Sequence, residues 1–210
     1  ALSCNTAFVQ MAVDVGTDAF RSTAEAFGVG ENHDLGLPTS PGGLGDVADD
    51  AALGQSAIGQ RDVTMSALQA AIMAATVAND GRRMEPYVVD KITGADLREL
   101  RTADPKEVTQ AVSPEVAAQL EELMLASERN TAGGRAGIAS KTGTAEHGDE
   151  GTPPHTWYVA YLPDSDVAVA VVVKNGGGMG TGATGGQVAS PVGRAVLDAA
   201  GNQAPVEVDG

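Results

Sequence analysis

The chain has 210 residues, 42% of them apolar and 20% charged, and 28 acidic side chains against 13 basic ones leave a formal net charge of −15. That is enough apolar material for one globular domain with a buried core, and too acidic a balance for nucleic acid or anionic lipid to be the main partner. The single cysteine, Cys4, excludes an internal disulfide framework, and the longest purely apolar run, 167–173, falls far short of a membrane span.

Phe8, Met11, Ala12 and Val15 recur at helical spacing, with Asn5 placed to cap the start and Gly16 to close the helix. The sequence enters this helix almost at once, so it is expected to be the C-terminal piece of a longer domain. A second helix is predicted over 18–27, with Ala19, Phe20, Thr23, Ala24 and Phe27 on one face and Gly28 as its stop. From 30 to 59 Gly, Pro, Asp and Ser dominate, which predicts a long irregular loop with a solvated acidic cluster at Asp46, Asp49 and Asp50. A helix over 63–79 is expected to bury Met65, Leu68, Ile72, Ala75 and Thr76 and to end at Gly81. Residues 87–92 and 97–100 read as a hairpin about Thr93-Gly94. Ser113-Pro114 places a cap before a first-turn proline, and Val116, Leu120, Leu123 and Met124 continue that helix's apolar face. Three strand-like runs follow at 137–146, 156–162 and 167–174, the last two joined tightly enough by Pro163-Asp-Ser-Asp166 to pair antiparallel. A glycine-rich loop over 176–186 leads to a terminal helix over 188–200. Helices first and a short antiparallel sheet last predict an α+β fold. Its helical part would span about 1–135, its sheet and terminal helix about 136–200, and 201–210 would be a polar tail.

The most informative stretch is Ser140-Lys141-Thr142-Gly143-Thr144. On a strand, Lys141, Gly143 and Ala145 share one side while Thr142, Thr144 and Glu146 share the other, and glycine lets a ligand approach the backbone. A ligand lying along such a strand would bond its amides, while the threonine hydroxyls and Lys141 receive a carboxylate. One such charge pair attracts by about 4 kcal/mol at 4 Å and an effective dielectric near 20, before desolvation is subtracted. An edge strand with an incidental lysine has the same composition. Ser3-Cys4-Asn5 is the second signal: two apart in an extended segment, Ser3 and Asn5 would face one site, although both are also ordinary helix-capping residues. Other patterns carry less. Gly180-Thr-Gly182-Ala-Thr-Gly185 spells a dinucleotide-type fingerprint, but too little chain follows to complete a parallel unit. His33, His147 and His155 are expected in loops, without the clustered partners a zinc site needs. Neither metal nor cofactor is expected.

Taken together, Ser3-x-Asn5 and Lys141-Thr142-Gly143 stand in the order of the elements that accompany Ser-x-x-Lys in penicillin-binding proteins and serine β-lactamases. The surrounding sequence resembles class B penicillin-binding proteins, the monofunctional D,D-transpeptidases, through Ser3-Cys-Asn-Thr-Ala-Phe8, Ile58-Gly-Gln-Arg-Asp-Val63, Val77-Ala-Asn-Asp-Gly81, Ser140-Lys-Thr-Gly-Thr-Ala-Glu146 and Thr156-Trp-Tyr-Val-Ala160. The resemblance covers residues 1 to 200 and implies the penicillin-binding transpeptidase fold, shared with serine β-lactamases and incomplete here at its N-terminal side. It implies a serine that attacks the D-Ala-D-Ala end of a peptidoglycan stem peptide, and β-lactams that trap that serine. Carried over, Ser3 would relay protons, Asn5 would hold the substrate's peptide amide and Lys141 would supply positive potential. Thr142 and Thr144 would bond the carboxylate across Gly143, and the Thr144 amide would be one oxyanion donor. It also implies an extracytoplasmic location, tethered by an N-terminal segment outside this chain, and division or elongation proteins as partners.

One departure is decisive. The residues three before Lys91, Lys106, Lys141 and Lys174 are Val88, Ala103, Ile138 and Val171, so the chain has no Ser-x-x-Lys. The nucleophile and its lysine would lie upstream or on a second chain, and this polypeptide alone is expected to be inactive. A β-lactamase-like hydrolase and a non-catalytic sensor that binds β-lactam or peptidoglycan are the alternative readings.

Overall fold

The computed structural model describes residues 2–201, and the remainder of the tail expected at 201–210 lies outside the described residues. Helix α1 (Asn5–Val15) ends at Gly16, as predicted; its φ of 86° suits glycine, and its N–H returns to the Ala12 carbonyl at 2.9 Å. The start differs from expectation. Cys4 holds the cap position, Asn5 is already helical, and no side chain caps this end. Helix α2 (Thr17–Ala26) follows, its Phe20 and Ala24 half-buried while Ala19 and Thr23 are exposed. Within the predicted stripe of α1 only Ala12 is buried, whereas Phe8, Met11 and Val15 are 43, 51 and 61% exposed.

The expected loop over 30–59 contains a helix, α3 (Asp50–Ala57). Asp49 is its N-cap, accepting the Ala52 N–H at 2.8 Å, and is therefore not merely part of a solvated cluster. This helix buries Ala52, Leu53, Gly54 and Ser56, and a Cβ on Gly54 would meet Val9 Cγ1 at 2.7 Å. It is only eight residues long within a Gly-, Pro- and Asp-rich stretch, so the surrounding composition reads as loop although its packing is helical. Ala12, Val47 and Leu53 form the small core here, with Phe20, Leu44 and Ala57 against it.

Helix α4 (Ala67–Ala78) starts later than predicted because Ser66 caps it, accepting the Gln69 N–H at 3.1 Å. Ile72 and Thr76 are buried as expected and Met65 and Leu68 half-buried; Ala75 is exposed, and Gln69, Ala70 and Ala74 complete the buried face. Strand β1 (Arg82–Met84) comes next, then the predicted hairpin as β2 (Lys91–Thr93) and β3 (Glu99–Thr102), and β4 (Glu107–Gln110), which returns to pair antiparallel with β1. The β1–β4 pair is too short to show alternation in sequence. Helix α5 (Pro114–Arg129) has the predicted cap, Ser113 accepting the Val116 N–H at 3.4 Å, but Val116 and Leu123 are exposed and its buried residues are Ala117, Ser127 and Glu128.

Strands β5 (Ala139–Ala145), β6 (His155–Tyr161) and β7 (Ala168–Val173) form one antiparallel sheet in that order, and α6 (Ala189–Gly201) closes the described chain. On one face Ile138, Tyr158, Ala160 and Val169 pack with Ala189 and Leu197 of α6. On the other, Ala139 and Tyr161 pack with Ala74, Val77, Met124 and Leu125 of α4 and α5. The architecture is therefore α+β, with helices on both faces of a short antiparallel sheet, as the order of elements predicts. The dinucleotide lookalike lies between β7 and α6, partly within a short 3-10 turn (Gly180–Gly182), but its sheet is antiparallel and supplies no parallel unit.

Close packing of α6 on β6 rests on Gly193, where a Cβ would lie 2.3 Å from Tyr158 Cδ1 and 2.7 Å from Cε1. Gly193→Ala is expected to destabilise the fold by about 1–3 kcal/mol through overpacking, outweighing alanine's better helix propensity. Urea unfolding checks this; a variant as stable as the wild type would place α6 farther from the sheet.

Candidate active site

Strand β5 carries Ser140-Lys-Thr-Gly-Thr144 and, among the described residues, is an edge strand paired only with β6. Alternation along it separates Ser140, Thr142 and Thr144 from Lys141, Gly143 and Ala145, as predicted. Ser140 is fully buried, and Thr142 stands opposite Tyr158 in the register. The Thr144 hydroxyl accepts the Gly185 N–H at 3.4 Å, tying the strand to the turn before α6. Gly143 faces Trp157, which is half-buried in the wall of the sheet, and a Cβ on Gly143 would come within 3.2 Å of Trp157 Cβ. At Gly185 a Cβ would lie 2.4 Å from the Trp157 carbonyl oxygen and 2.6 Å from that of Gly143, so only glycine lets this turn approach the strand.

Lys141 is half-buried and donates from Nζ to the Thr142 carbonyl at 2.5 Å. Burial pushes its ammonium below the ordinary lysine range. Among the described residues no carboxylate forms an ion pair with it. A partly desolvated cation with no anionic partner, on an edge strand whose other face carries the Thr142 and Thr144 hydroxyls, has the chemistry of a carboxylate receptor.

Two supports hold this strand, and neither is apparent from the motif. The first is Glu128, fully buried at the C-terminal end of α5. It accepts the Ser140 hydroxyl at 2.5 Å, the Tyr158 hydroxyl at 3.0 Å, Arg194 Nε at 2.7 Å and the Arg135 N–H at 3.2 Å. Burial opposes its negative charge, but those donors prevail and hold its carboxyl below the usual carboxylate range. Burial, reinforced by the Glu128 charge, pushes the Tyr158 phenol up, so it remains a neutral donor. The second support is Gln60, whose Nε2 donates to the Thr144 carbonyl at 3.2 Å and whose Oε1 accepts the Glu146 N–H at 3.3 Å. Glu128 could have been found from its register: Ala117, Glu121, Met124 and Glu128 form one helical stripe, and an acid on such a stripe needs a buried partner. Glu121 bears this out, accepting the Tyr161 hydroxyl at 3.1 Å.

Ser3 and Asn5 are not arranged as predicted. Ser3 has a φ of 54° and Asn5 is helical, so the extended geometry that would give them a common face is absent. Both are exposed, and among the described residues no hydrogen bond joins either to β5. Of the histidines expected in loops, His155 instead opens β6, its ring 3.7 Å from that of His147.

Comparison with known proteins identifies the family and the fold. The family described as the penicillin binding protein transpeptidase domain matches residues 1–198. Peptidoglycan D,D-transpeptidase PbpA of Mycolicibacterium smegmatis is 49% identical over 209 residues, covering 95% of this chain and 42% of that protein. PbpA of Mycobacterium tuberculosis is 47% identical over 207 residues, covering 94% of this chain and 42% of that protein. The structure of penicillin-binding protein A from M. tuberculosis as a ceftriaxone acyl-enzyme complex superposes with a TM-score of 0.89 at 47% identity, over 94% of this chain and 46% of that one. The chain thus spans less than half the length of the curated relatives it matches.

Proposed function

The chain belongs to the penicillin-binding protein transpeptidase family, and on that premise we propose that it is the strand-bearing C-terminal part of a class B D,D-transpeptidase that cross-links peptidoglycan through a serine acyl-enzyme. The observation that carries this reading is the Lys141 ammonium, half-buried and without a carboxylate partner among the described residues, on the edge strand that also presents Thr142 and Thr144. A stem peptide ends in a carboxylate next to the bond that must break. Lys141 and the two hydroxyls would hold that carboxylate, setting the preceding carbonyl against the Thr144 N–H as one oxyanion donor. Loss of such a donor costs on the order of 10² to 10³ in rate. The serine oxygen attacks that carbonyl, the terminal D-Ala leaves as an amine, and a neighbouring stem amine resolves the ester. Ser3 and Asn5 would serve proton relay and peptide binding once residues outside this chain bring the nucleophile beside α1, whose exposed Phe8, Met11 and Val15 offer an apolar seat for them. The relatives' identity as peptidoglycan D,D-transpeptidases favours this reading over a hydrolase or a sensor.

With no Ser-x-x-Lys in the sequence, the nucleophile comes from outside this chain, from upstream residues or a second polypeptide. The complete protein acts on peptidoglycan at the outer face of the cell membrane, held there by an upstream segment. Among the described residues no helix is long and apolar enough to cross a membrane. Division or elongation proteins are its expected partners. The test is intact mass after incubation with a labelled penicillin. No adduct is expected on the 210-residue chain, and one adduct is expected when the Ser-x-x-Lys half is present. An adduct on the chain alone would reveal a nucleophile elsewhere in it and overturn the division of roles.

A further inference from the structure

The outer edge of β5 is occupied by side chains of the same chain. Lys141 Nζ takes the Thr142 carbonyl, and the Gln60 amide takes the Thr144 carbonyl with Nε2 and the Glu146 N–H with Oε1. Gln60 lies between α3 and α4, far away in sequence, and its amide imitates one rung of a missing neighbouring strand. In an antiparallel pair, residues alternate between those that exchange both backbone bonds with their partner and those that turn both groups away. Thr144 is of the second kind with respect to β6, so its N–H faces the same outer edge as the carbonyl held by Gln60.

An extended acyl donor added to that edge forms a residue pair with Thr144. Its reacting carbonyl oxygen takes the Thr144 N–H, and the amide N–H of the same donor residue must then reach the Thr144 carbonyl. Gln60 Nε2 already sits there. Its two bonds, at 3.2 and 3.3 Å, lie at or beyond the long end of the usual N–H···O range of about 2.7–3.2 Å, and its side chain is only half-buried. The contact satisfies an exposed strand edge without holding it tightly.

We infer that Gln60 is a placeholder for the donor: it pairs with the Thr144 carbonyl and Glu146 N–H while the site is empty and yields the Thr144 carbonyl to the amide of the incoming acyl donor. This rests on the D,D-transpeptidase reading and adds a residue that governs access to the strand. Removing the placeholder frees the edge, so Q60A is expected to be acylated roughly two- to tenfold faster, the range set by one net hydrogen bond. Q60N keeps the polarity but is one methylene too short to span both groups, and should behave like Q60A.

The experiment compares wild type, Q60A and Q60N, each with the Ser-x-x-Lys half present. It measures the second-order rate of acylation by a fluorescent penicillin, together with hydrogen exchange at the Glu146 amide. Faster acylation and faster Glu146 exchange in both variants are the expected result. Acylation at or below the wild-type rate in both variants overturns the placeholder and leaves the transpeptidase reading intact. A wild type that is not acylated overturns the transpeptidase reading itself, and the placeholder with it.

Discussion

Glu128→Ala is expected to destabilise the protein by about 3–5 kcal/mol, the cost of breaking a buried ion pair from one side. The Arg194 side chain is only 4% exposed, and Glu128 is its ion-pair partner at 2.7 Å. Truncation leaves that guanidinium buried without its anion and strips acceptors from the Ser140 and Tyr158 hydroxyls. A double change of Glu128 and Arg194 to apolar residues of similar volume should recover much of the loss, because the single variant's penalty lies mainly in the abandoned charge. Denaturant unfolding of the singles and the double measures this coupling. The pH dependence has a definite sign. Glu128 titrates below its unfolded value, so its contribution is present above the ordinary carboxylate range and disappears as pH falls through the lowered value. Wild type should therefore weaken on acidification more steeply than Glu128→Gln, which has no such group to protonate. Equal acid limbs would mean that Glu128 is not ionised in the fold.

The sheet is the part most legible in sequence, and the reason is periodicity. Strands β6 and β7 are short, largely apolar runs bounded by turn residues, and Pro163-Asp-Ser-Asp166 joins them as a hairpin. Caps with a side-chain oxygen beside a strong neighbour, as at Ser113-Pro114, are readable too. Where the signal lies in what a residue meets rather than what it is, reading fails. Helix α3 is eight residues long inside a Gly-, Pro- and Asp-rich stretch, too short to show a helical stripe of its own, and the β1–β4 pair is too short for any pattern. Within the site, the Lys141-Thr142-Gly143 segment was legible as a strand with alternating faces, but its chemistry was readable only together with Ser3-x-Asn5, because an edge strand with an incidental lysine has the same composition. Ser3 and Asn5 were legible as a motif but not as a geometry, because two-apart spacing gives a common face only in extended backbone. Gln60 is joined to its partners only through the fold, 84 and 86 positions away, and no local pattern encodes that contact.

Lys141 bears the largest expected effect on chemistry. With the Ser-x-x-Lys half present, K141A should lower the second-order rate of penicillin acylation about 100- to 1000-fold. A charge pair at contact in a half-buried site is worth about 4 kcal/mol before desolvation, and each 1.4 kcal/mol is tenfold. Desolvation claims less of that gain than usual, because the fold has already removed part of the water around the ammonium. The same burial fixes the direction of the pH profile. Only the protonated amine attracts the carboxylate, so acylation holds below the lowered lysine value and falls as pH rises through it, earlier than for an ordinary lysine. Second-order rates report groups of the free enzyme, so bound ligand does not mask that limb. K141R separates charge from shape. It remains a cation throughout, so it should keep part of the rate and lose the alkaline fall, although a planar guanidinium does not place its charge where the lysine ammonium stands. If K141A and wild type were acylated at similar rates, the carboxylate would be received elsewhere. If K141R kept the alkaline fall, the titrating group would not be Lys141.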